Sequence, residues 1–498
     1  MNKIRVNIRE QYEPKPDSDE ADIAEILQRD HQLELPLKTV TPREVIRTIK
    51  QLDNNKAPGF YLIDKKVLME LLQKAVIYLT TLFNCINRRG YFPALWKVSQ
   101  VIMIHKPGKP PHEVTSYRPI SLLPVLSKLL EKILLRRLSL AMHENYVTPN
   151  HQFCFRPEHA TKEQIHRVCK CISNSLEQKE YCSSVFLDVQ QAFDRVWHKG
   201  LLCKIKLLLP HNFYPIIESY LRDRIFQVKE SDCTSGFYDI LAGVPQGSVV
   251  GPVLYTIFTA DLPQTPGVTI ATYADDTAIL TSSKDLVQAL TALQRSLDEI
   301  DIWLDKWRIV ASANKSVQVT FTLRKGTCPP VRLGGREPPQ SNKVKYQGLH
   351  LDRRLTWKNH IEAKRNEVNL IYRGLYWLLG RNYKLSIDNK LLVYKSSIKP
   401  IWTYGIQLWG ATCASNITKI QRTQNNILKQ ISSAPCFVKN SEVHEHLNMP
   451  TVKEEIVAHA RRYRVRLENH PNQLAQQLTL SDCITRLRRR RTLELGSI

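Results

Sequence analysis

Two stretches of strand-forming residues in this 498-residue chain are each interrupted by aspartate. "CSSVFLDVQQAF" carries Asp188, and "VTIATYADDTAIL" carries the adjacent pair Asp275 and Asp276. Both stretches are rich in Val, Ile, Phe, Tyr and Thr and have the length of a buried strand. A carboxylate among apolar neighbours costs free energy unless it is paired or binds a cation. The chain must therefore fold so that these carboxylates meet a compensating charge.

An adjacent pair of aspartates, taken alone, is more typical of an exposed turn, where Asp is common. Here the pair lies in a β-rich frame and a second strand-like stretch supplies Asp188. This combination favours a divalent metal site made of oxygen ligands. Mg²⁺ prefers such ligands and completes its octahedron with substrate phosphates and waters.

The charge balance predicts a polyanionic partner. Lys and Arg number 71 against 47 Asp and Glu, a formal net charge of +24. Such an excess favours nucleic acid or an anionic membrane surface, and a generic basic soluble protein is the alternative. The apolar run at 75–83 is too short to span a bilayer, and the N-terminus lacks the apolar core of a signal peptide. We therefore expect an intracellular protein, nuclear or cytoplasmic, that is not secreted, with its 11 cysteines reduced.

Helical and strand patterns alternate irregularly along the chain, which predicts an α+β fold. Residues 1–35 are polar and predict a loose leader. Thr41 is the predicted N-cap of a helix with Glu44 three residues on. Further helices are expected at 68–88, ending at Gly90, from Ser127 onward, and from Leu286 to Trp307. Beyond residue 355 the pattern is mostly helical and ends in the basic run "RLRRRR" (486–491).

Several motifs in order resemble one known family. "FLDVQQAFDRVW", "GVPQGSVVGPVLYTIF" and "YADD" resemble motifs A, B and C of reverse transcriptases, specifically those of jockey-type non-LTR retrotransposons. "IHKPGK", "SYRPISLLPVLSKLLEK", "HQFCFRPEHAT", "KYQGLHLDRRLTWKNHI", "KPIWTYGIQLWG" and "APCFVKN" extend the likeness. It covers the chain from about residue 35 to about residue 470.

The resemblance implies a right-hand polymerase with fingers, a palm of antiparallel strands and a helical thumb. It divides the chain into a polar leader (1–35), an N-terminal finger extension (36–84), a reverse transcriptase domain of fingers and palm (85–354) and a helical thumb with a basic C-terminal region (355–498). Elements of this type usually carry an endonuclease before the polymerase. No such domain is recognised here, so the sequence predicts a partial reading frame.

The resemblance also assigns catalytic and metal-binding roles. Asp188 and Asp275 match the aspartates that hold two Mg²⁺ ions, with Mn²⁺ as the alternative ion, and Asp276 is the neighbouring carboxylate of that site. Lys315 matches the lysine proposed to protonate the leaving pyrophosphate.

Nucleotide-binding roles follow from the same motifs. Lys106 and Arg118 match basic finger positions that grip the triphosphate, and both residue types suit phosphate binding. Phe193 matches the aromatic steric gate that excludes a ribose 2′-OH. The remaining matches are Gln246 and Gly247, which would lie against the nucleotide and template, and Tyr273, which would pack near the primer terminus. Without the resemblance, Phe193 would be a core residue, Lys106 a surface lysine and Tyr273 an ordinary strand tyrosine.

Five positions depart from the family pattern: Cys154 replaces the Gly of "GFR", Gln347 the Leu of "YLG", Cys436 the Trp of "APW", Tyr61 an Asp and Ser312 an Asn. A side chain at Cys154 would be strained if the glycine holds a positive φ. An unpaired buried amide at Gln347 would cost roughly 1 to 3 kcal/mol. These departures suggest relaxed selection on this copy.

The sequence thus predicts an RNA-directed DNA polymerase that adds dNTPs to a primer 3′-hydroxyl on an RNA template. Its expected partners are the RNA template, the DNA primer and dNTPs, with no membrane and no inferable protein partner. One alternative is a nucleic-acid-binding remnant that has lost catalysis. Another is an RNA-dependent RNA polymerase, against which Phe193 argues.

Overall fold

The computed structural model describes residues 18–29, 36–113, 116–326, 328–381, 383–480 and 486–487. Two compact units interleave along the sequence. Unit 1 comprises the described residues of Met1–Pro149, Val189–Pro263 and Ile302–Val310, and unit 2 those of Asn150–Asp188, Gln264–Asp301 and Ala311–Ile498. The four-part linear division of the sequence remains a prediction, because compactness alone does not define functional domains.

The strands, in chain order, are β1 (Val98–His105), β2 (Tyr117–Leu122), β3 (Tyr181–Leu187), β4 (Arg224–Glu230), β5 (Cys233–Thr234), β6 (Tyr238–Ile240), β7 (Val268–Tyr273), β8 (Asp276–Ser283), β9 (Val317–Phe321), β10 (Lys343–Tyr346) and β11 (Leu349–Asp352).

The helices up to residue 306 are α1 (Ser18–Gln28), α2 (Pro42–Lys50), α3 (Lys65–Met69), α4 (Gln73–Arg89), α5 (Val125–Glu144), α6 (Thr161–Glu177), α7 (His198–Leu208), α8 (Tyr214–Leu221), α9 (Gly251–Phe258) and α10 (Leu286–Lys306). Beyond them lie α11 (Lys358–Gly374), α12 (Tyr376–Leu379), α13 (Ile387–Val393), α14 (Lys399–Thr403), α15 (Ile406–Trp409), α16 (Ala414–Ile431), α17 (Asn440–His446), α18 (Val452–Glu468) and α19 (Gln473–Gln476). The mixture of helices and sheets confirms the predicted α+β class, and the mostly helical region beyond 355 is confirmed as well.

A four-stranded sheet in the order β7-β8-β3-β9 forms the centre of unit 2. All three neighbouring pairs are antiparallel. β3 is the most deeply enclosed strand, since six of its seven residues are buried. Val168 and Ile172 of α6 pack in the same apolar core as Leu280 of β8 and Val319 of β9. The last three residues of β3 are apolar and buried, which explains why Asp188 stands out directly after them.

Unit 1 holds a separate sheet in the order β2-β1-β4-β5, with β6 also paired to β4. β1 pairs antiparallel with β2 and parallel with β4. The antiparallel β1 and β2 strands form a hairpin whose connecting loop follows His105.

The local predictions agree with the structure except near the N-terminus. Thr41 accepts a hydrogen bond from the backbone N–H of Glu44, and α4 ends at Gly90 with φ 59°. The predicted helix at 68–88 is instead two helices, α3 and α4, because Leu72 is extended with ψ 153°. α1 also occupies part of the segment that was expected to be a loose leader, and this expectation is wrong for Ser18–Gln28.

The basic run at 486–491 is described only at Arg486 and Leu487. The Arg486 guanidinium donates to the backbone carbonyls of Leu176 and Glu177 at 2.6 and 2.9 Å. The remaining residues of the run lie outside the described part of the chain. Within that part, every helix is too short or too polar to cross a bilayer.

Candidate active site

The pair Asp275 and Asp276 lies at the tight turn that joins β7 to β8. Tyr273 pairs with Asp276 across the hairpin, so Ala274 and Asp275 alone form the loop. Ala274 has φ 58°, a left-handed conformation that a residue with a Cβ adopts at a cost of roughly 1 kcal/mol. The pair therefore lies at a turn between two strands, and the strained residue of this turn directly precedes the two carboxylates.

Asp188 follows the last residue of β3, which is the other neighbour of β8. Leu187 pairs with Thr277, so the antiparallel register continued by one residue sets Asp188 opposite Asp276. Directly opposed residues of antiparallel strands have Cα atoms about 4.5 to 5.5 Å apart. The structure therefore brings the three predicted carboxylates together at one end of the unit 2 sheet.

Burial and neighbouring charge raise the pKa of the two adjacent carboxylates, Asp275 and Asp276. Burial and the charge of Asp188 raise the pKa of Asp275 above its usual value. Removal from water and the charges of Asp275 and Asp188 raise the pKa of Asp276 to about 6, although its side chain still reaches solvent at the start of β8. Crowded carboxylates of this kind favour a bound cation, because it relieves both the desolvation and the repulsion.

The described residues contain no group of three or more His, Cys, Asp and Glu side chains already placed to hold a metal ion. The oxygen donors at the turn nevertheless fit a hard divalent cation, since their raised pKa values reflect uncompensated negative charge. Such an ion would take further ligands from phosphates and water, as Mg²⁺ usually does.

Gln347 contacts the site directly, and the sequence analysis missed this role. Its Nε2 donates a 2.6 Å hydrogen bond to Oδ2 of Asp276. The amide is therefore paired, and the cost that an unpaired amide would carry does not arise. Gln347 has φ 46°, its carbonyl accepts a 2.8 Å hydrogen bond from the Tyr404 hydroxyl, and Gly348 follows with φ 81°. A two-residue hairpin turn with positive φ at both positions, between β10 and β11, is what points the amide at the carboxylate.

Gln152 is a second residue that the sequence analysis did not single out. It is buried, and its Oε1 accepts hydrogen bonds from the backbone N–H groups of Ala274 (3.2 Å) and Cys154 (3.0 Å). The backbone beside it also bonds to β7, since the N–H of Phe153 donates to the carbonyl of Thr272. Gln152 thus ties the strained turn to the segment before α6. The one sequence signal for this role is that Gln152 lies within the motif "HQFCFR".

Cys154 does not adopt the positive φ that would have made its side chain a defect. The left-handed residue of this segment is Phe155, with φ 57°. The thiol is buried, and burial raises its pKa to about 11. The condition under which Cys154 would be strained is therefore not met in this chain.

The remaining unit 2 candidates flank the carboxylates. Lys315 is exposed in the loop between α10 and β9, and the same loop holds the backbone of Asp188 at both its N–H and its carbonyl. The Ser312 N–H donates to the Asp188 carbonyl at 2.8 Å, and the Asp188 N–H donates to the Ser316 hydroxyl at 3.1 Å. Tyr273 packs on the apolar cluster that includes Phe153, and burial raises its pKa to about 12.

The other five predicted residues lie in unit 1. Lys106 and Arg118 are close in the β1–β2 hairpin: Arg118 pairs with Ile104, and the Lys106 N–H donates to the Ser116 carbonyl at 2.7 Å. The Arg118 side chain is exposed. Two cationic side chains are therefore presented by one hairpin.

The "PQGS" segment is held in place within unit 1. A Cβ on Gly247, whose φ is 118°, would lie 2.4 Å from the carbonyl oxygen of Ser121. The amide of Gln246 donates to the carboxylate of Asp194 at 2.9 Å, and burial raises the pKa of Asp194 to about 6. Glycine is thus required at position 247 because a side chain there would collide with the backbone of Ser121. The nucleotide-binding roles of both residues remain predictions.

Phe193 is half-buried and packs against the ring of Tyr255, with centroids 4.8 Å apart and planes at 30°. Tyr255 belongs to α9 and is buried, so it gives the Phe193 ring a fixed backing. Such support suits a steric gate, but a core phenylalanine would pack in the same way. Its role therefore stays a prediction.

Comparison with known proteins adds a family match. Residues 104–351 match the family described as "Reverse transcriptase (RNA-dependent DNA polymerase)". The chain is 42% identical over 470 residues to the "Probable RNA-directed DNA polymerase from transposon X-element" of Drosophila melanogaster, covering 93% of this chain and 52% of that protein. It is also 42% identical to the "RNA-directed DNA polymerase from mobile element jockey" of Drosophila funebris, over 93% of this chain and 51% of that protein. The chain thus spans about half the length of the curated relatives it matches.

A solved structure of apo telomerase from Candida tropicalis, truncated from its C-terminal domain, is a more distant match. Its TM-score is 0.37 at 15% identity, covering 56% of this chain and 59% of that one.

Proposed function

We propose that the chain, whose residues 104–351 match the reverse transcriptase family, is the RNA-directed DNA polymerase part of a jockey-type non-LTR retrotransposon protein. The observation that carries the proposal is the convergence of Asp188, Asp275 and Asp276 at one end of the unit 2 sheet. The wider protein of such an element includes segments beyond this chain, so the proposed activity is polymerisation alone.

The proposed architecture is a right hand. The unit 2 sheet is the palm, the β1–β2 hairpin with the helices around it forms the fingers, and the helices after residue 355 form the thumb. The net charge of +24 supports an RNA template and DNA primer as partners, since polyanions bind such a surface through their phosphates.

The reaction is in-line nucleotidyl transfer. The primer 3′-oxygen attacks the α-phosphorus of a dNTP, a new P–O bond forms, and the bond to pyrophosphate breaks. When bound, two Mg²⁺ ions, or Mn²⁺ in their place, would lower the pKa of the 3′-hydroxyl and neutralise charge on the leaving group. Asp188 and Asp275 would hold these ions, and Asp276 would support them as the neighbouring carboxylate.

The remaining candidates bind and orient the reactants. Lys315 donates a proton to the leaving pyrophosphate, and Tyr273 packs beside the primer terminus. Lys106 and Arg118 bind the triphosphate, Gln246 and Gly247 lie against the nucleotide, and Phe193 excludes a ribose 2′-OH. Positioning and charge neutralisation supply most of the catalysis in such reactions.

The test is primer extension on an RNA template with dNTPs and Mg²⁺. We expect Asp275→Ala to lower incorporation by about 100-fold or more, because a group that stabilises developing charge is lost. Asp232→Ala, in the exposed turn between β4 and β5, is the matched control and should extend normally. Chelation of the metal with EDTA should abolish extension by the parent chain.

The same assay separates the alternatives. Template binding without incorporation by the parent chain would establish the non-catalytic remnant instead. Incorporation of rNTPs by the parent would favour an RNA polymerase. A Phe193→Ala variant should gain rNTP use, and a variant that gained none would remove the gate assignment.

A further inference from the structure

One tryptophan differs from all the others in its exposure. All eight tryptophans lie in the described part of the chain, and seven of them are 8% exposed or less. Trp377, in α12, is 65% exposed. A single exposed ring is common on protein surfaces, but several exposed rings together mark an interaction site.

Two further exposed aromatic residues lie close to Trp377 in the sequence, and one of them contacts its ring. Tyr383 is 44% exposed and lies edge-on to Trp377, with centroids 5.7 Å apart and planes at 84°. Tyr376 is 52% exposed and makes a similar edge contact with Tyr372, at 5.9 Å and 87°. We call Tyr376, Trp377 and Tyr383 the aromatic platform. Edge-to-face packing leaves the face of one ring in each pair available to a flat ligand.

The backbone beneath the platform is anchored. Leu379 ends α12 with its side chain fully buried, and the Gly380 carbonyl accepts a 2.7 Å hydrogen bond from the buried Lys390 ammonium. The Arg381 guanidinium donates to the carbonyl of Ala434 at 2.8 Å. The rings are therefore presented by a fixed segment, which lowers the entropy lost on binding.

Cationic residues flank the platform in the sequence. Arg373, Arg381, Lys384 and Lys395 are exposed, and the one acidic residue of the stretch 371–395 is Asp388. This charge excess selects a polyanion over a neutral or basic partner. Exposed rings beside cationic groups are the combination that binds unpaired nucleotides, because every base has a face that can stack on an aromatic ring.

We propose that the aromatic platform binds single-stranded nucleic acid, with unpaired bases stacked on Trp377 and Tyr383 and the phosphates paired with the neighbouring Arg and Lys residues. The inference rests on the proposed function and deepens it, since it gives this face of unit 2 a preference for unpaired strands. A duplex exposes its phosphates, which can pair with the cationic side chains. Its bases are stacked on one another, so their faces are not available to stack on the aromatic platform.

Trp377 provides the measurement, because acrylamide in solution reaches it far more readily than the seven buried tryptophans. We expect a 10-nucleotide oligoadenylate to protect the chain's tryptophan emission from acrylamide quenching. An abasic sugar-phosphate strand of equal length, and a duplex of equal length, should protect it much less. Trp377→Phe should bind like the parent but lose the quenchable emission, because the ring is kept.

A second experiment measures the affinity for oligoadenylate in variants of exposed side chains, which leave the core intact. Trp377→Ala and Tyr383→Ala should each weaken oligoadenylate binding by about tenfold, as expected for one stacked base. Tyr78→Ala is the matched control, since Tyr78 is a 75% exposed tyrosine of unit 1. Unfolding midpoints should match the parent, which separates lost contacts from lost structure.

Several outcomes would overturn the proposal. Equal protection by the abasic strand or the duplex would show a backbone contact without stacking. Protection that rises with protein concentration alone would show an interface between copies of the chain. Unchanged oligoadenylate affinity in both Ala variants would show that the aromatic platform is not the binding site. Asp275→Ala should leave protection unaltered, so failure here and failure of the polymerase proposal are distinguishable.

Discussion

The side-chain amide of Gln347 donates a 2.6 Å hydrogen bond to the carboxylate of Asp276. This contact favours the charged form of Asp276 against the burial and the neighbouring charges that raise its pKa. It joins the turn between β10 and β11 to the β7–β8 hairpin within unit 2. A residue at which the sequence departs from the pattern of the family it resembles thus supports the carboxylates that we propose as catalytic.

Removing this contact should weaken metal binding. We expect Gln347→Leu to raise the Mg²⁺ concentration for half-maximal primer extension by about two- to fivefold, the range for a partly exposed hydrogen bond to a charged group. Gln347→Glu should raise it further, because it adds a like charge beside Asp276. Direct titration with Mn²⁺, followed by electron paramagnetic resonance without substrate, should give the same order. Equal metal affinity in all three chains would show that Gln347 only packs.

Gln152 should determine how firmly the hairpin turn is held. Gln152→Leu leaves the N–H groups of Ala274 and Cys154 without their acceptor, at roughly 1 to 3 kcal/mol for each buried group. We expect faster amide hydrogen exchange in residues 272–276 and slower primer extension. Gln152→Glu keeps an acceptor oxygen and should preserve most of the protection. Unchanged exchange in Gln152→Leu would contradict the assigned role.

Restoring the family's glycine should harm this chain. Cys154→Gly removes a buried side chain and adds backbone freedom to the unfolded state, and each effect costs roughly 0.5 to 1 kcal/mol. We expect a lower thermal midpoint and no gain in extension rate. A higher midpoint would instead indicate backbone strain at Cys154. The control is Cys436→Ala, at an exposed cysteine, which should change neither the thermal midpoint nor the extension rate. Cys85→Gly is less suitable, because it would place a glycine within α4.

Buried histidines in unit 2 should make the fold sensitive to acid. Burial lowers the pKa of His151 to about 4 and those of His166 and His360 to about 3. An unfolded histidine has a pKa near 6.5, so the unfolded chain binds more protons below that pH. The stability contributed by these neutral rings is complete above about pH 6.5 and is lost as the pH falls towards 4 and 3.

The measurement is the unfolding midpoint in denaturant between pH 8 and pH 5. His360→Phe should reduce the loss over this range by about 2 kcal/mol, the value for one histidine held neutral at pH 5. His446→Phe, at an exposed position, is the control and should leave the loss as it is in the parent. An equal loss of stability with falling pH in the parent, His360→Phe and His446→Phe would show that other groups cause the acid sensitivity.

The sequence was informative where local pattern and chemistry agree. The strand beneath Asp188, the hairpin at Asp275 and the helix ends at Thr41 and Gly90 all follow from periodicity and capping. The roles of Gln152 and Gln347 could not be predicted, because each depends on a contact between segments distant along the chain. The absence of strain at Cys154 depends on which residue of a turn takes the positive φ, and composition does not determine this.

The loop between β7 and β8 consists of Ala274 and Asp275 alone, so the spacing of the carboxylates cannot absorb an inserted or deleted residue. Successive side chains of a strand point to opposite faces, so one residue gained or lost in β8 near Thr277 would exchange its buried and exposed positions and offset Asp276 from Asp188. Loss or gain of a single codon here would thus be more harmful than many substitutions elsewhere. Among relatives of this chain, an unchanged number of residues from Tyr273 to Thr277 should mark those that keep the three carboxylates in register better than overall identity does.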